Sequence, residues 1–217
     1  MNVGILFDLD GTLLDTLDDL HNAVNHTMTQ FGCPQRTREE VRRFVGNGVD
    51  HLIRLSLPGK ADDPDFDTVC AAYRSYYNAH AQDKTAPYPG ILAALSELAA
   101  EYPIAVVSNK PDAAVRLLCQ DYFGSIYALG QRSDIPRKPA PDMLRLAMAA
   151  IGIDRCIYVG DSEVDVLTAK NASVPCLSVT WGFRDEDQIR AAGGTHFCHE
   201  TKDLAPMLRQ MLQQAQG

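Results

Sequence analysis

The sequence predicts an α/β fold: a parallel β-sheet with helices on both faces, interrupted by an insert that is helical throughout. Two observations predict it. Short apolar runs alternate with helical segments of about ten residues through most of the chain, which is typical of a parallel sheet with covering helices. One stretch of about 70 residues, after the first apolar run, contains no convincing strand. With 217 residues, the chain is long enough for one large domain and a smaller insert.

Five apolar runs are the predicted strands of the sheet. They span residues 3–7, 104–107, 125–129, 156–159 and 176–179. Helical segments separate the later strands, over residues 91–101, 112–121, 141–151 and 164–172. Because each run is short and apolar, we expect these strands to lie buried between two layers of helices.

The insert follows the first strand. Apolar residues recur at helical spacing over residues 17–31, and Gly32 is typical of the residue that follows a helix C-terminus. Thr37 and Glu40 have the spacing of a capping box, which predicts the start of a second helix. Two more helices are predicted, over residues 49–57 and 69–81.

Composition argues against several classes of protein. The formal net charge is −8, whereas a nucleic-acid-binding face is basic. No stretch of about 18 apolar residues occurs, so no membrane span is predicted. The first residues lack the basic region of a secretory signal peptide, and the six cysteines form no Cys-x-x-Cys pair. We therefore expect a cytoplasmic protein with reduced thiols and no nucleic-acid or membrane partner, either a monomer or a homodimer.

Polar and acidic residues follow three of the predicted strands. Asp8 and Asp10 follow the first strand, Ser108 and Asn109 the second, and Asp161 the fourth. Ligands of open parallel sheets bind at the carboxyl ends of the strands. If the first strand is central and the second and fourth lie beside it, these side chains converge on one place.

Such a group of carboxylates predicts a metal-dependent phosphoryl-transfer site. Asp8, Asp10 and Asp161 cannot all stay ionised side by side, so protons or a cation must neutralise them. Mg²⁺ prefers oxygen ligands and commonly binds one or two carboxylates together with a substrate phosphate. Lys138, just before a predicted helix, offers a fixed positive charge. Neutral donors to phosphate oxygens would be the Ser108 hydroxyl and the backbone amides around Gly11 and Asn109.

Each of these motifs also has a purely structural interpretation. The Asp-x-Asp-Gly string at residues 8–11 is common in turns and calcium loops. Ser162 is a good helix N-cap, and Asp165 suits a first helical turn. Lys138 would equally suit a solvated turn. The joint occurrence of these motifs, each at the carboxyl end of a strand or just before the next one, favours the catalytic interpretation.

Four segments carry a resemblance to a known family. Residues 7–16, Phe-Asp-Leu-Asp-Gly-Thr-Leu-Leu-Asp-Thr, resemble the signature of the haloacid dehalogenase superfamily. Val107–Pro111, Arg137–Pro141 and Val159–Ser162 with Asp165 resemble its other motifs, in the family's order. The resemblance covers the whole chain.

The resemblance implies a Rossmann-like core domain with an inserted helical cap domain. The core would comprise residues 1–14 and 85–217, and the cap residues 15–84. The run Val45–Gly48 resembles the cap loop of the phosphoglycolate phosphatase branch. Its glycine turn would start a helix and bind a small carboxylate at the helix N-terminus. The cap residues expected to bind substrate are Arg43, Gly46, Asn47 and Gly48.

The resemblance also implies a role for each core residue. Asp8 would be the nucleophile that forms an aspartyl-phosphate, and Asp10 would act as general acid and base. Mg²⁺ would be held by Asp8, Asp161 and the backbone carbonyl of Asp10. Ser108 and Lys138 would hold the phosphoryl oxygens. Gly11, Thr12 and Asn109 would bind substrate. Ser162 and Asp165 would lie behind the site, where Asp165 would orient Lys138 or a metal-bound water.

The function predicted from these residues is a Mg²⁺-dependent phosphatase of a small phosphorylated metabolite, with 2-phosphoglycolate as the first candidate. Asp10 argues against dehalogenases and phosphonate-cleaving members, which resemble this pattern but lack the second aspartate. A sugar phosphomutase and a pyrophosphatase share the core motifs and stay open as alternatives. A binding module without activity would lack Asp8, Asp10 or Lys138, and all three are present.

Overall fold

The computed structural model describes residues 2–59 and 64–216. Within them, the strands are β1 (Val3–Phe7), β2 (Leu14–Asp15), β3 (Ala86–Pro87), β4 (Ile104–Pro111), β5 (Tyr127–Gln131), β6 (Arg155–Gly160), β7 (Cys176–Val179) and β8 (Phe197–Cys198). The helices are α1 (Leu17–Gln30), α2 (Arg38–Phe44), α3 (Val49–Ser56), α4 (Phe66–His80), α5 (Ile91–Ala99), α6 (Asp112–Phe123), α7 (Asp142–Ala150), α8 (Glu163–Ala172), α9 (Glu186–Ala191) and α10 (Thr201–Gln216). The chain divides into two compact units, Met1–Leu14 with Pro87–Gly217, and Asp15–Ala86.

The larger unit contains a six-stranded sheet of order β5-β4-β1-β6-β7-β8, in which every pair is parallel. Strand β1 is central, since Ile5 lies opposite Ile104 of β4 and Ile157 of β6. The predicted α/β class and the central position of the first strand are therefore confirmed.

Both faces of the sheet are covered by helices. Ile5 and Phe7 of β1 belong to a core cluster with apolar residues of α5, α6 and α10, whereas Leu6 belongs to the opposite cluster, with α7 and α8. Successive residues of a strand point to opposite faces, which explains this alternation. Burial on both faces explains why the predicted strands are apolar without interruption.

Three differences from the sequence prediction concern the ends of elements. Strand β5 begins at Tyr127, two residues later than predicted, because α6 continues to Phe123 and Gly124 ends it at a φ of 71°. Strand β4 continues past its apolar run as far as Pro111. The two-residue strands β2 and β3, which pair with each other, lie where no strand was predicted.

The C-terminal elements β8, α9 and α10 were not predicted. Strand β8 has two residues, too few for a pattern. Helix α10 does have a helical sequence pattern, because Leu204, Leu208 and Leu212 recur every fourth residue and are fully buried.

The smaller unit, Asp15–Ala86, is called the insert here and contains α1 to α4. The predicted capping box is confirmed, because Glu40 N–H donates to Thr37 Oγ1 and Thr37 N–H to Glu40 Oε2. Gly32 follows α1 at a φ of 66°, as expected of a helix-ending glycine. None of the helices in the described part of the chain is both long and apolar enough to cross a membrane.

Candidate active site

Asp8 is the first residue after the central strand, and the sheet places it among charged residues. Its N–H donates to the carbonyl of Val159 on β6 at 2.8 Å, which continues the strand pairing and fixes the backbone. The residue is 7% exposed. Because β1 lies between β4 and β6, polar residues that follow all three strands reach the same edge of the sheet.

Lys138, in the connection between β5 and α7, is buried within this group. Its Nζ lies 2.9 Å from Asp8 Oδ1 and donates to Asp165 Oδ1 at 2.8 Å and to the Tyr158 hydroxyl at 2.9 Å. Burial alone would lower the pKa of Lys138, but the negative charges of Asp165 and Asp8 outweigh it and raise that pKa. Lys138 is therefore a permanent positive charge at the site.

Asp165 accepts four hydrogen bonds and is fully buried. Its Oδ1 accepts from Lys138 Nζ and from the Tyr158 hydroxyl, both at 2.8 Å. Its Oδ2 accepts from the Ser162 hydroxyl at 2.6 Å and from the Ser162 N–H at 3.2 Å. Since both oxygens are engaged, Asp165 orients Lys138 and anchors the start of α8.

Asp161, after β6, is held between two loops. Its Oδ1 accepts from Thr12 Oγ1 at 3.3 Å, and its Oδ2 accepts from the N–H of Phe183 at 2.6 Å. Two glycines permit this close packing. A Cβ at Gly11, where φ is 80°, would lie 2.3 Å from Asp161 Oδ2, and one at Gly182 would lie 2.4 Å from the same atom.

Electrostatic repulsion within the site is strong. One carboxylate oxygen from each of Asp8, Asp161 and Asp165 lies within 4.8 Å of the others. Burial raises the pKa of Asp8 well above its ordinary value, and Asp165 and Asp161 raise it further against the effect of Lys138. Burial also raises the pKa of Asp161, to about 7, with a further contribution from Asp165.

These residues fit a divalent cation. Asp8 Oδ1 is buried and lies 2.9 Å from Lys138 Nζ, with which it forms an ion pair. Three buried carboxylates face the single charge of Lys138, so a cation of charge two would balance the cluster. Oxygen donors of this kind are the ligands that Mg²⁺ prefers. The fit rests on Asp8 and Asp161, because the oxygens of Asp165 are already engaged.

Asp10 is not a member of this carboxylate group, although the sequence analysis expected its carboxylate there. Lys110 Nζ donates to both of its oxygens, at 2.8 and 3.1 Å. Lys110 lies in the segment of β4 where the register with β5 shifts, between Val107 and Pro111. Asp10 could still offer its backbone carbonyl to a metal, and this part of the expected metal site stays a prediction.

Ser108 and Asn109 lie in the same irregular segment and are buried. The Ser108 hydroxyl accepts from the N–H of Lys110 at 3.3 Å. The side chain of Asn109 donates to the carbonyl of Lys138 at 3.0 Å and accepts from its N–H at 2.9 Å. Asn109 thus positions the backbone of Lys138, and its contact with phosphate stays a prediction.

The amides predicted to bind phosphate around Gly11 already have partners. The N–H of Gly11 donates to the carbonyl of Leu14 at 2.8 Å, and that of Thr12 to the carbonyl of Leu9 at 3.3 Å. A phosphate contact by either amide would replace a hydrogen bond of the turn. What the structure shows for Gly11 and Thr12 is contact with Asp161.

The substrate residues predicted in the insert lie in a different unit from the carboxylates. Arg43 is exposed, and its Nε donates to the carbonyl of Glu39 at 3.3 Å. Gly46 and Gly48 have φ values of 117° and 82°, and Gly48 precedes the first residue of α3. Asn47 lies between them. Their role in substrate binding stays a prediction.

Several residues of the site had no assigned role in the sequence analysis. They are Lys110 beside Asp10, Tyr158 beside Lys138 and Gly182 beside Asp161. The N–H of Phe183 also donates to Asp161, and Arg184 Nε donates to Glu163 Oε2 at 2.9 Å. Lys110 follows Ser108 and Asn109 directly, so its position was a usable signal. Tyr158 sits in an apolar strand, where nothing local marks its hydroxyl as part of a polar network.

Comparison with known proteins places this geometry in a family. A family model described as haloacid dehalogenase-like hydrolase matches residues 5–179. A phosphoglycolate phosphatase of Cereibacter sphaeroides is 37% identical over 218 residues, covering 96% of this chain and 99% of its own. That of Rhodobacter capsulatus is 34% identical over 193 residues, covering 85% and 87%. A solved structure from Lactobacillus delbrueckii subsp. bulgaricus, also named for phosphoglycolate phosphatase, superposes with a TM-score of 0.86 at 34% identity, covering 94% and 97%.

Proposed function

Because the chain belongs to the haloacid dehalogenase-like hydrolase family, we propose that it is a Mg²⁺-dependent phosphatase of small phosphomonoesters with 2-phosphoglycolate as its preferred substrate. One observation carries the chemistry. Asp8 holds a buried carboxylate oxygen 2.9 Å from Lys138 Nζ, and oxygens of two further buried carboxylates lie within 4.8 Å of that carboxylate. Three buried carboxylates beside one lysine favour a divalent cation, and the positive charge of Lys138 favours a phosphoryl group next to Asp8.

Asp8 is the nucleophile of this proposal. Its backbone is fixed between β1 and β6, so the carboxylate can attack without first being ordered. A carboxylate oxygen of Asp8 forms a bond to phosphorus as the bond from phosphorus to the leaving oxygen breaks. The product is an aspartyl-phosphate, and Lys138 Nζ, 2.9 Å from Asp8 Oδ1, stabilises the charge on the transferring group.

Asp10 transfers the protons. Protonated Asp10 gives its proton to the leaving alkoxide in the first step. In the second step, ionised Asp10 takes a proton from the water that attacks phosphorus, and the bond to Asp8 breaks to release inorganic phosphate. Asp8 and Asp10 have different neighbours, since Lys138 lies beside Asp8 and Lys110 beside Asp10.

Mg²⁺, when bound, supplies positive charge that offsets the carboxylates and the phosphoryl group. Asp8, Asp161 and the backbone carbonyl of Asp10 would hold it. Asp161 is restrained by Thr12 and by the N–H of Phe183, which orients its carboxylate in advance. Asp165 keeps Lys138 in place, and Ser108 belongs to the group that holds the phosphoryl oxygens.

The preference for 2-phosphoglycolate rests on two supports. Both curated relatives described above carry the name phosphoglycolate phosphatase. In the insert, Gly46, Asn47 and Gly48 form a turn before α3, and its backbone amides suit a small carboxylate. Arg43, just before this turn, would add positive charge.

A substrate screen with the full chain and Mg²⁺ tests the proposal. The substrates are 2-phosphoglycolate, p-nitrophenyl phosphate, hexose phosphates and pyrophosphate, with release of inorganic phosphate as the measurement. We expect the highest kcat/KM for 2-phosphoglycolate and no turnover in excess chelator. Conversion of a hexose phosphate to its isomer would support a phosphomutase instead, and preference for pyrophosphate would support a pyrophosphatase. Full activity in chelator would overturn the metal requirement.

A further inference from the structure

Two buried lysines form ion pairs with two different aspartates at the carboxyl end of the sheet. Lys138 lies against Asp8, whereas Lys110 lies against Asp10. The side chain of Lys110 is 4% exposed and that of Asp10 is 13% exposed, so this pair is largely shielded from water. A shielded ion pair holds its geometry far better than one on the surface.

The contact between Lys110 and Asp10 is bidentate. Lys110 Nζ is 2.8 Å from Asp10 Oδ1 and 3.1 Å from Asp10 Oδ2. A cation placed between the two oxygens of a carboxylate restrains rotation of the carboxylate group. The orientation of Asp10 is therefore coupled to the position of a single ammonium group.

The backbone that carries Lys110 is also restrained. The N–H of Lys110 donates to Ser108 Oγ at 3.3 Å. On the neighbouring strand, a Cβ at Gly130 would lie only 2.7 Å from the Lys110 carbonyl oxygen, so the two strands are closely packed here. The N–H of Gly130 donates to Asp112 Oδ1 at 2.9 Å, which secures the far side of the irregular segment.

We propose that Lys110 is a positioning residue that holds the Asp10 carboxylate in the orientation required for proton transfer to the leaving group, an inference that rests on the acid–base role of Asp10 proposed above. Proton transfer needs the carboxylate within hydrogen-bond distance of the leaving oxygen. Loss of orientation lowers the rate even where every reacting group is present. Replacing Lys110 should therefore lower the rate more for a substrate with a more basic leaving group, because that leaving group needs a proton.

The experiment compares two substrates that share the phosphoryl group and differ in the leaving group. Phenolate is a stronger base than p-nitrophenolate, so phenyl phosphate depends more on proton donation than p-nitrophenyl phosphate. The comparison uses kcat/KM, which reports formation of the aspartyl-phosphate, because hydrolysis of that intermediate is common to both substrates. We expect Lys110→Met to lower kcat/KM for phenyl phosphate by about 10- to 100-fold, and for p-nitrophenyl phosphate by less than about threefold.

Three further variants complete the test. Lys110→Gln, which can still donate a hydrogen bond, should recover part of the lost kcat/KM on phenyl phosphate and guards against a folding defect in Lys110→Met. Asp10→Asn should also lose more kcat/KM on phenyl phosphate than on p-nitrophenyl phosphate, and its losses should be larger than those of Lys110→Met. Lys202→Met is the matched control, because Lys202 also pairs with a carboxylate, Glu200, but its side chain is 71% exposed. Its kinetics should equal those of the wild type.

Two results would overturn the inference. Equal losses of kcat/KM on the two substrates would mean that Lys110 binds the phosphoryl group or supports the fold. No loss of kcat/KM for phenyl phosphate in Lys110→Met would mean that Asp10 does not need Lys110 to hold its orientation. Failure of the proposed function looks different, because Asp10→Asn would then fail to distinguish the leaving groups, or the wild type would not prefer 2-phosphoglycolate.

Discussion

The charged residues of the two units are used in opposite ways. In the larger unit, the carboxylates of Asp8, Asp161 and Asp165 are buried beside Lys138. In the insert, ion pairs such as Arg74 with Asp50 have side chains that are 45% and 55% exposed. Buried like charges destabilise a fold, whereas exposed pairs contribute little in either direction. The buried cluster is therefore explained by chemistry, and the exposed pairs by solubility.

One buried carboxylate in the insert sharpens this contrast. Asp19 is 2% exposed, but Oδ2 accepts hydrogen bonds from the N–H and the hydroxyl of Thr85, both at 2.8 Å, and from the N–H of Lys84 at 3.0 Å. Asp8 Oδ1, by contrast, lies beside Lys138 Nζ and the oxygens of two other buried carboxylates. A carboxylate surrounded by backbone and hydroxyl donors stabilises its surroundings, whereas one packed against other carboxylates is explained by chemistry.

The largest expected effect separates these two aspartates. Asp8→Asn should lower kcat by more than about 10⁴-fold on every phosphomonoester, because the amide cannot form the aspartyl-phosphate. Its thermal unfolding midpoint should be no lower than that of the wild type at pH 8, since the variant removes a carboxylate whose pKa burial raises. Steady-state kinetics and calorimetry measure the two quantities.

Asp19→Asn is the counterpart in the insert. Its amide group would face backbone donors, so we expect a loss of about 1–3 kcal/mol in the free energy of unfolding, measured by urea denaturation. The kcat on p-nitrophenyl phosphate should stay within about threefold of the wild type. An active Asp8→Asn variant, or an inactive and stable Asp19→Asn variant, would reverse the comparison.

The next effect concerns pH. The pKa of Asp161 is raised to about 7, so the metal-free protein retains a proton that the unfolded chain loses near pH 4. Its contribution to stability is present at low pH and is lost as pH rises through about 7. A cation must displace that proton, so the affinity for Mg²⁺ should rise about tenfold per pH unit up to about pH 7. Titration calorimetry at pH 5.5, 6.5 and 8 measures it.

The corresponding control is Asp161→Asn. It removes one of the two carboxylate ligands whose pKa is raised, so Mg²⁺ binding should weaken at every pH and its pH dependence should become less steep. The increase in unfolding temperature caused by Mg²⁺ in the wild type should be larger at pH 8 than at pH 5.5. An affinity for Mg²⁺ that is independent of pH in the wild type would contradict the assignment of Asp161 as a ligand.

A smaller effect is expected from the turn in the insert. Replacing Gly46 and Gly48 by alanine should raise KM for 2-phosphoglycolate by about tenfold, about 1.4 kcal/mol. KM for p-nitrophenyl phosphate, which has no carboxylate, should change much less. Both glycines have positive φ, so the substitutions also strain the turn, and the unfolding midpoint must be measured in parallel. Equal changes on both substrates would assign the turn a structural role only.

The smallest effect is expected at an exposed ion pair of the insert. Arg74→Met breaks the pair with Asp50 and should change the free energy of unfolding by less than about 1 kcal/mol. The difference should disappear in high salt, which screens surface charges. A loss of several kcal/mol, or any loss of kcat, would show that charges of the insert matter as much as those of the larger unit.

Local sequence determined the fold class and most of the candidate site. Apolar runs, the capping box at Thr37 and the glycine after α1 act within a few residues of chain, so their structural consequences are predictable without the rest of the protein. The positions of Asp8 and Asp161 after apolar strands predicted that they would meet, because parallel strands end at one edge of the sheet. The family followed from the same motifs.

Tertiary structure alone decided the partners of these residues. Lys110 and Asp10 are 100 residues apart in sequence, and the two segments that carry them lie together because β4 pairs with β1. Tyr158 belongs to an apolar strand, and only the packing of Lys138 and Asp165 against it gives its hydroxyl a role. Such contacts depend on how separate elements pack, and no pattern within a single segment carries that information. For this reason the aspartates of the site could be predicted from the sequence, whereas only the tertiary structure shows that Lys138 contacts Asp8 and Lys110 contacts Asp10.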